Sequence, residues 1–257
     1  MMKNVLITGA SSGFGRASTI KLAQAGYNIT ATTRNTADKK DLEEETKDLN
    51  VNVIVQDVSY YFVPDYVKNW DVDILINNAG AGESGPIADI PMSKVRSNFE
   101  TNVFGTLNLT QLVVKDMMLK NKPGKIIFIS SVVSRMTAPY LGAYSMTKHA
   151  IEAMAKTLRD EVAQHGIKVA VVEPGPYSTG FNEKIMASKY KWFDDTSAFY
   201  KDLETIKGIE DWVCSDQFDP EEVSNAIVDI VKAEDPAFRT RIPKAWDDIV
   251  KSKLAEG

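Results

Sequence analysis

The segment that most restricts what this chain can fold into is its first: Val5-Leu6-Ile7, then Thr8-Gly9-Ala10-Ser11-Ser12-Gly13-Phe14-Gly15, then a helix-compatible run to Gly26. A short apolar run between turn residues suits a strand buried on both faces. Glycines at 9, 13 and 15 let the backbone turn tightly into a helix. They also bring N–H groups close to a pyrophosphate and let the helix pack near the strand. Strand, glycine-rich turn and helix, in that order, give such a loop its dinucleotide-binding meaning. The spacing is T-G-x-x-x-G-x-G rather than G-x-G-x-x-G, and a plain βα turn would use the same residues.

The same grammar repeats downstream. Ile29 to Thr33 reads as a second strand ending at Arg34, and Val51 to Val55 as a third followed by Asp57-Val58. Val72 to Ile76 is a fourth, ending in Asn77-Asn78-Ala79-Gly80, and Lys125 to Ile129 a fifth, ending at Ser130-Ser131. Lys168 to Val172 is a sixth, closed by Glu173-Pro174-Gly175-Pro176, and Phe238 to Ile242 a short last one. Between them lie a charged helical run from Ala37 to Asp48 and a run over 92–119 that is one helix or two. A further helix runs from Tyr144 to about Gln164 and stops at Gly166. Such alternation predicts βαβ units and a Rossmann-type doubly wound parallel sheet in the α/β class. No linker or composition break divides the 257 residues, so 1–257 reads as a single domain.

One stretch breaks the pattern. From Tyr177 to about Asp216 the chain is aromatic-rich (Phe181, Tyr190, Trp192, Phe193, Phe199, Tyr200, Trp212) and offers no clear strand. Forty such residues in a compact domain predict a cover over a site, here a substrate lid at about 177–216 over an apolar pocket. A helical subdomain packing its aromatics on the core is the alternative. Asp219-Pro220-Glu221-Glu222 then opens a helix with an acidic cap and a proline in the first turn.

Charge and composition exclude several function classes. A net charge of -5 gives no basic footprint for nucleic acid. The single cysteine, Cys214, allows no intrachain disulfide and reads as an ordinary thiol. Two histidines, His149 and His165, without a cysteine cluster predict no metal site. No apolar run approaches a membrane span, and the start Met1-Met2-Lys3-Asn4 carries no signal peptide, so a cytoplasmic protein is expected.

Chemistry is suggested by Tyr144-Ser145-Met146-Thr147-Lys148. On a helix, the i, i+4 spacing stacks the phenol and the ammonium on one face. A phenol with a pKa of about 10 is a poor acid-base catalyst near neutrality. A fixed cation beside it is expected to lower that value.

Thr8-Gly9…Gly13-Phe14-Gly15, Asn77-Asn78-Ala79-Gly80, Asn102, Ser131, Tyr144-x-x-x-Lys148 and Pro174-Gly175 with Thr179 follow one another across nearly the whole chain. In this order and at these intervals they resemble the classical short-chain dehydrogenase/reductase family. The resemblance implies a catalytic tetrad of Asn102, Ser131, Tyr144 and Lys148. Tyr144 would donate the proton and Ser131 would orient the carbonyl oxygen. Lys148 would hold the nicotinamide ribose and lower the Tyr144 pKa, and Asn102 would link Lys148 to a proton relay through its main chain and a water. It further implies a cofactor site of Gly9, Ser11, Ser12, Gly13, Phe14, Gly15, Arg34, Asp57, Val58, Asn78, Ala79, Gly80, Tyr144, Lys148, Pro174, Gly175 and Thr179. Ser130 is read as structural and His149 as a packing or surface residue. The interval from Val58 to the fourth strand is short for the family, which predicts a truncated helix there.

Arg34, with no carboxylate at the end of the second strand before Asp38, points to NADP(H) over NAD(H), although Ser12 lacks the second basic residue of many NADP-preferring relatives. The expected function is an NADP(H)-dependent oxidoreductase interconverting a carbonyl and a secondary alcohol on a hydrophobic small molecule. The alternatives are an acyl-carrier-protein thioester ketoreductase and a catalytically silent nucleotide-sensing binding protein. Val113, Met117, Ala150, Met154 and Leu158 extend beyond one core stripe, and with the resemblance they imply a homodimer or homotetramer.

Overall fold

Seven strands form one parallel sheet in the computed structural model, which describes residues 2–60 and 69–255. They are β1 (Asn4–Ile7), β2 (Asn28–Thr33), β3 (Val51–Val55), β4 (Ile74–Asn77), β5 (Gly124–Ile129), β6 (Ile167–Pro174) and β7 (Arg239–Ile242), in the spatial order β3-β2-β1-β4-β5-β6-β7. Every neighbouring pair is parallel, as in the β1–β2 register Ile7↔Ala31 and the β1–β4 register Ile7↔Ile76. All seven expected strands are present, with ends shifted by up to two residues. The fold is a single Rossmann-type domain. The truncated helix expected after Val58 falls largely outside the described residues.

Period-two alternation in the strands divides the core. Val5, Ile7, Ile29, Ala31, Ile74, Ile76, Ile127 and Ile129 face one side. There they meet Leu22 and Ala23 of α1 (Gly13–Gln24), Leu42 of α2 (Thr36–Glu45), and Val223, Ile227 and Val231 of a helix near the C-terminus (Glu221–Lys232). Leu6, Leu75, Ile126, Phe128, Val169 and Val171 face the other side, where the long central helices lie. Each fully buried side chain of this size contributes about 1.5–3 kcal/mol, which fixes the register of both faces.

The run over 92–119 is continuous but not uniform. It consists of α3 (Met92–Phe99), a π-helical turn over Glu100–Gly105, and α4 (Thr106–Leu119). Gly105 explains the close packing there, since a Cβ on it would lie 2.1 Å from the Val58 carbonyl oxygen. α5 (Gly142–Val162) begins two residues before Tyr144, and the chain leaves it through a short turn to Gly166 in the left-handed conformation. Val113 and Met117, expected to serve assembly, instead point into the core between α4 and the sheet.

Residues 177–216 hold no strand but are largely helical, with α6 (Phe181–Ser188) and α7 (Leu203–Ser215). Tyr177 does not belong to a cover at all. It is buried edge-on against Phe14, and its hydroxyl donates to Glu222 at 2.7 Å. α8 (Glu221–Lys232) starts where expected, with the Asp219 carboxylate accepting from the Glu221 N–H at 2.9 Å. A last helix, α9 (Trp246–Ala255), has no counterpart in the sequence reading.

Candidate active site

The carboxyl ends of β1, β4, β5 and β6 open onto one cavity of about 550 Å³. β1 and β4 are neighbours from which the chain winds in opposite directions, the switch point where open α/β sheets bind ligands. At one end the wall is Gly9, Ser11, Ser12, Gly13, Phe14, Arg34, Asp57, Val58, Asn78, Ala79 and Gly80. Ser131, Tyr144, Lys148, Pro174, Gly175 and Thr179 line the middle. At the other end the lining turns apolar, with Val133, Met136, Leu141, Phe181, Ile185 and Val213.

The glycine loop is held by its neighbours rather than by itself. The Thr8 hydroxyl accepts from the N–H groups of Asn78 and Ala79 at 3.1 and 3.0 Å, and the Asn78 amide donates to the carbonyls of Thr8 and Gly9 at 2.8 and 3.0 Å. Gly9 adopts φ 68° and packs so closely that a Cβ would lie 2.8 Å from Ala79 Cα. Gly15 does not reach the cavity. Its missing Cβ makes room for the Asn78 amide and the Gly9 carbonyl, each 2.4 Å from where that atom would be. It therefore permits packing rather than touching a ligand.

Tyr144, Ser131 and Lys148 come together as expected. The Ser131 hydroxyl is near enough to the phenol to favour its ionised form, and Lys148 Nζ lies 5.5 Å from the centre of the Tyr144 ring. The ammonium donates to the Ile129 carbonyl at 2.8 Å. Burial pushes the phenol's pKa upward, and the neighbouring Ser131 hydroxyl offsets this only in part. The expected lowering of the Tyr144 pKa by Lys148 is not found, and desolvation of the phenolate sets the direction instead. Burial also lowers Lys148 to about 8, against the charge of Glu152, which raises it.

Asn102 is off the cavity wall. Within the π turn its side chain clamps Ala81, accepting from that N–H at 2.8 Å and donating to that carbonyl at 2.7 Å, and it also donates to Thr147 at 2.9 Å. It locks the loop after Gly80 to the helix bearing Tyr144. Asn77 turns the other way and donates to Thr110. Ser130 was expected to be structural. Its buried hydroxyl has no partner among the described residues and lies on the cavity wall. His149 Nδ1 sits 3.0 Å from the Ser145 carbonyl and takes no part. Burial raises the Cys214 thiol above its ordinary value.

Phe181, Ile185 and Val213 of segment 177–216 line the apolar end. Phe181 meets the Tyr144 ring edge-on at 5.8 Å, and Trp192 packs where a Cβ on Gly85 would be. Ser84 fastens it, donating to the Ile185 carbonyl at 2.8 Å while its N–H donates to Ser188. Lys189, almost fully buried, pairs with Glu210 of α7 at 2.5 Å. None of these fasteners had a local sequence signal.

A dinucleotide fits the residues present. α1 starts at the cavity without a side-chain cap on its first N–H groups, as anion binding at a helix N-terminus requires. Gly13 leaves space beside Thr179, where a Cβ would come within 3.2 Å. Arg34 is exposed at the wall, with no ion pair or hydrogen bond among the described residues. In that same set no three His, Cys, Asp or Glu side chains gather to hold a metal, and no helix is long and apolar enough to cross a membrane.

A model of the family described as short chain dehydrogenase matches residues 3–189. The 3-ketodihydrosphingosine reductase of Bacteroides thetaiotaomicron is 33% identical over 245 residues, covering 93% of this chain and 87% of its own. The NADPH-dependent 3-dehydrocapnine reductase of Ornithobacterium rhinotracheale is 34% identical over 188 residues, covering 69% of this chain and 66% of its own. A solved short-chain dehydrogenase from Streptomyces avermitilis superposes with a TM-score of 0.81 at 28% identity, covering 100% of this chain and 93% of that one.

Proposed function

Because the chain belongs to the short-chain dehydrogenase family, we propose that it is an NADP(H)-dependent oxidoreductase interconverting a carbonyl and a secondary alcohol on a hydrophobic small molecule. The observation that carries this reading is the Tyr144 phenol, with Ser131 and the Lys148 ammonium beside it, on a cavity that runs from the glycine loop to an apolar end. The relative named a 3-ketodihydrosphingosine reductase supports the carbonyl, and the one named NADPH-dependent supports the cofactor.

The dinucleotide, when bound, exchanges a hydride with the carbonyl carbon. Gly9, Ser11, Ser12, Gly13 and Phe14 would hold its phosphates. Asp57 and Val58 would flank its adenine, with Asn78, Ala79 and Gly80 along the adenosine and Pro174, Gly175 and Thr179 near the nicotinamide. In reduction Tyr144 gives its proton to the substrate oxygen while Ser131 hydrogen-bonds that oxygen and stabilises its developing charge. Lys148 holds the nicotinamide ribose with its ammonium. Asn102 positions the loop and the helix that carry these groups.

A panel of carbonyl compounds, followed by oxidation of the reduced cofactor, tests this directly. Turnover of apolar ketones is expected. Cofactor binding without turnover of any carbonyl would favour the sensor reading instead, and turnover confined to carrier-bound thioesters the acyl-carrier one.

Segment 177–216 is proposed as the substrate lid. Trp192→Ala is expected to raise KM for an apolar ketone about tenfold by loosening that cover, roughly the loss of 1.4 kcal/mol, and to leave the cofactor dissociation constant unchanged. Unchanged substrate kinetics would remove the lid from the account.

Assembly is proposed through α4 and α5, where Leu107, Val114, Met118, Met154 and Leu158 line an apolar groove. Burying that groove predicts a dimer or tetramer. Light scattering at micromolar concentration should give a multiple of 28.5 kDa, and a monomer mass would overturn it.

A further inference from the structure

Beneath the Tyr144–Lys148 pair lies a buried ionic network that the reaction, as described above, does not use. Glu152 follows Lys148 by one turn of α5, a separation of about 5–6 Å between Cβ atoms on a helix. It is nearly inaccessible to solvent. One of its oxygens accepts from the Arg239 guanidinium at 2.5 Å, and the Ser134 hydroxyl oxygen lies 3.3 Å from the other. Ser134 in turn donates to the Ser131 carbonyl at 2.6 Å. Arg239 also donates to Glu173, which is fully buried and pairs with Arg241 at 2.8 Å and more loosely with Arg135 at 3.6 Å.

Buried carboxylates persist only where cations compensate them, and a carboxylate held this way adds a fixed negative charge to the buried groups around it. Lys148 is the buried cation nearest along the helix, and its own hydrogen bond is to a neutral carbonyl. We propose that Glu152 is a positioning residue for the reaction, its carboxylate fixed by Arg239 so that the Lys148 ammonium keeps its charge in a buried site. The inference rests on the oxidoreductase reading.

The surrounding charges fix the sign of the effect. Tyr144, Lys148 and Glu152 lie on α5, Arg135 on the turn after β5, Glu173 on β6, and Arg239 and Arg241 on β7. α3 and the π turn, packed on the same helix, present the neutral Asn98 and Asn102 as buried groups, while their Arg96 and Glu100 are exposed. Removing the Glu152 charge makes the pocket more positive. Tyr144 and Lys148 should each then lose a proton at lower pH. Removing the Arg239 charge does the reverse.

Two readouts test this: the alkaline limb of kcat/KM for carbonyl reduction, and the pH at which the cofactor dissociation constant, followed by fluorescence, begins to rise. Glu152→Gln should move both about one pH unit towards acid, as a unit charge at this range in a protein interior does. Glu152→Asp keeps the charge and should leave both within a few tenths of a unit. Arg239→Gln should move them towards alkali. A role in packing alone would lower activity without moving either midpoint, or would move them equally in the Gln and Asp variants, and either result overturns the proposal. Should Arg239→Gln fail to fold, the Glu152 pair decides. Absence of turnover with every carbonyl would remove the oxidoreductase reading, while the binding midpoint still decides on Glu152.

Discussion

Tyr144→Phe is expected to lower kcat for carbonyl reduction by a factor of about 10²–10⁴, the usual contribution of a positioned general acid. The substitution removes one hydroxyl and keeps the ring, so the edge-on contact with Phe181 survives. Affinity for the cofactor should change little, because the ribose contact belongs to Lys148. The protonation state supports the direction of the effect. Burial raises the Tyr144 pKa, so near neutrality the phenol carries its proton and is ready to donate it. Alcohol oxidation needs the phenolate and should rise with pH over the range in which reduction falls. Lys148→Ala should damage cofactor binding and turnover together. Stopped-flow kinetics and fluorescence titration of the two variants separate these outcomes. Retention of more than about a tenth of parent turnover in Tyr144→Phe would refute its role as proton donor, since so small a loss, about 1.4 kcal/mol, falls below that of a missing acid.

The parts of this site that were legible in sequence are those built from local grammar. Each strand ends in the residues that line the cavity, so reading β1, β4, β5 and β6 correctly also located Gly9, Gly80, Ser131 and Gly175. The Tyr144–Lys148 pair was legible because a helix fixes its geometry from spacing alone. Gly15 and Asn102 matched the pattern, yet neither stands on the wall. A motif records that a residue type is needed without saying whether it touches a ligand or holds up something that does. The links between distant segments carried no local signal. Ser84 to α6, Lys189 to Glu210, and Glu152 to Arg239 join positions 21 to 104 apart in sequence. Tyr177 read as one more lid aromatic, because nothing nearby shows that Glu222 will accept from its hydroxyl. α9 was missed although Trp246, Ile249 and Val250 follow helical spacing, since it comes directly after a short strand and a proline.

Cofactor choice should turn on one side chain. Arg34 stands just past β2 on the adenosine side of the cavity, where a guanidinium fork matches a 2′-phosphate dianion. The carboxylate that would instead bind the ribose diol is missing from this position. The next acid, Asp38, is already engaged: Asn35 donates to its carboxylate at 3.0 Å and accepts from its N–H at 2.9 Å to cap α2. A charge-assisted hydrogen bond contributes roughly 1.5–3 kcal/mol, or about ten- to a hundredfold. Because Arg34 is exposed and screened, the lower end is expected. The parent enzyme should therefore use NADPH about tenfold more efficiently than NADH, and Arg34→Ala should abolish the difference by weakening NADPH alone. Thr33 lines the same wall, so Thr33→Asp combined with Arg34→Ala should place a carboxylate on the ribose, repel the phosphate and reverse the order. Thr33 is also buried and donates to the Asn35 carbonyl at 3.2 Å. The double variant accordingly needs a matching thermal unfolding curve before its kinetics are compared. Steady-state kcat/KM with each cofactor at fixed ketone decides the matter, and equal efficiency in the parent enzyme would sink the assignment of Arg34.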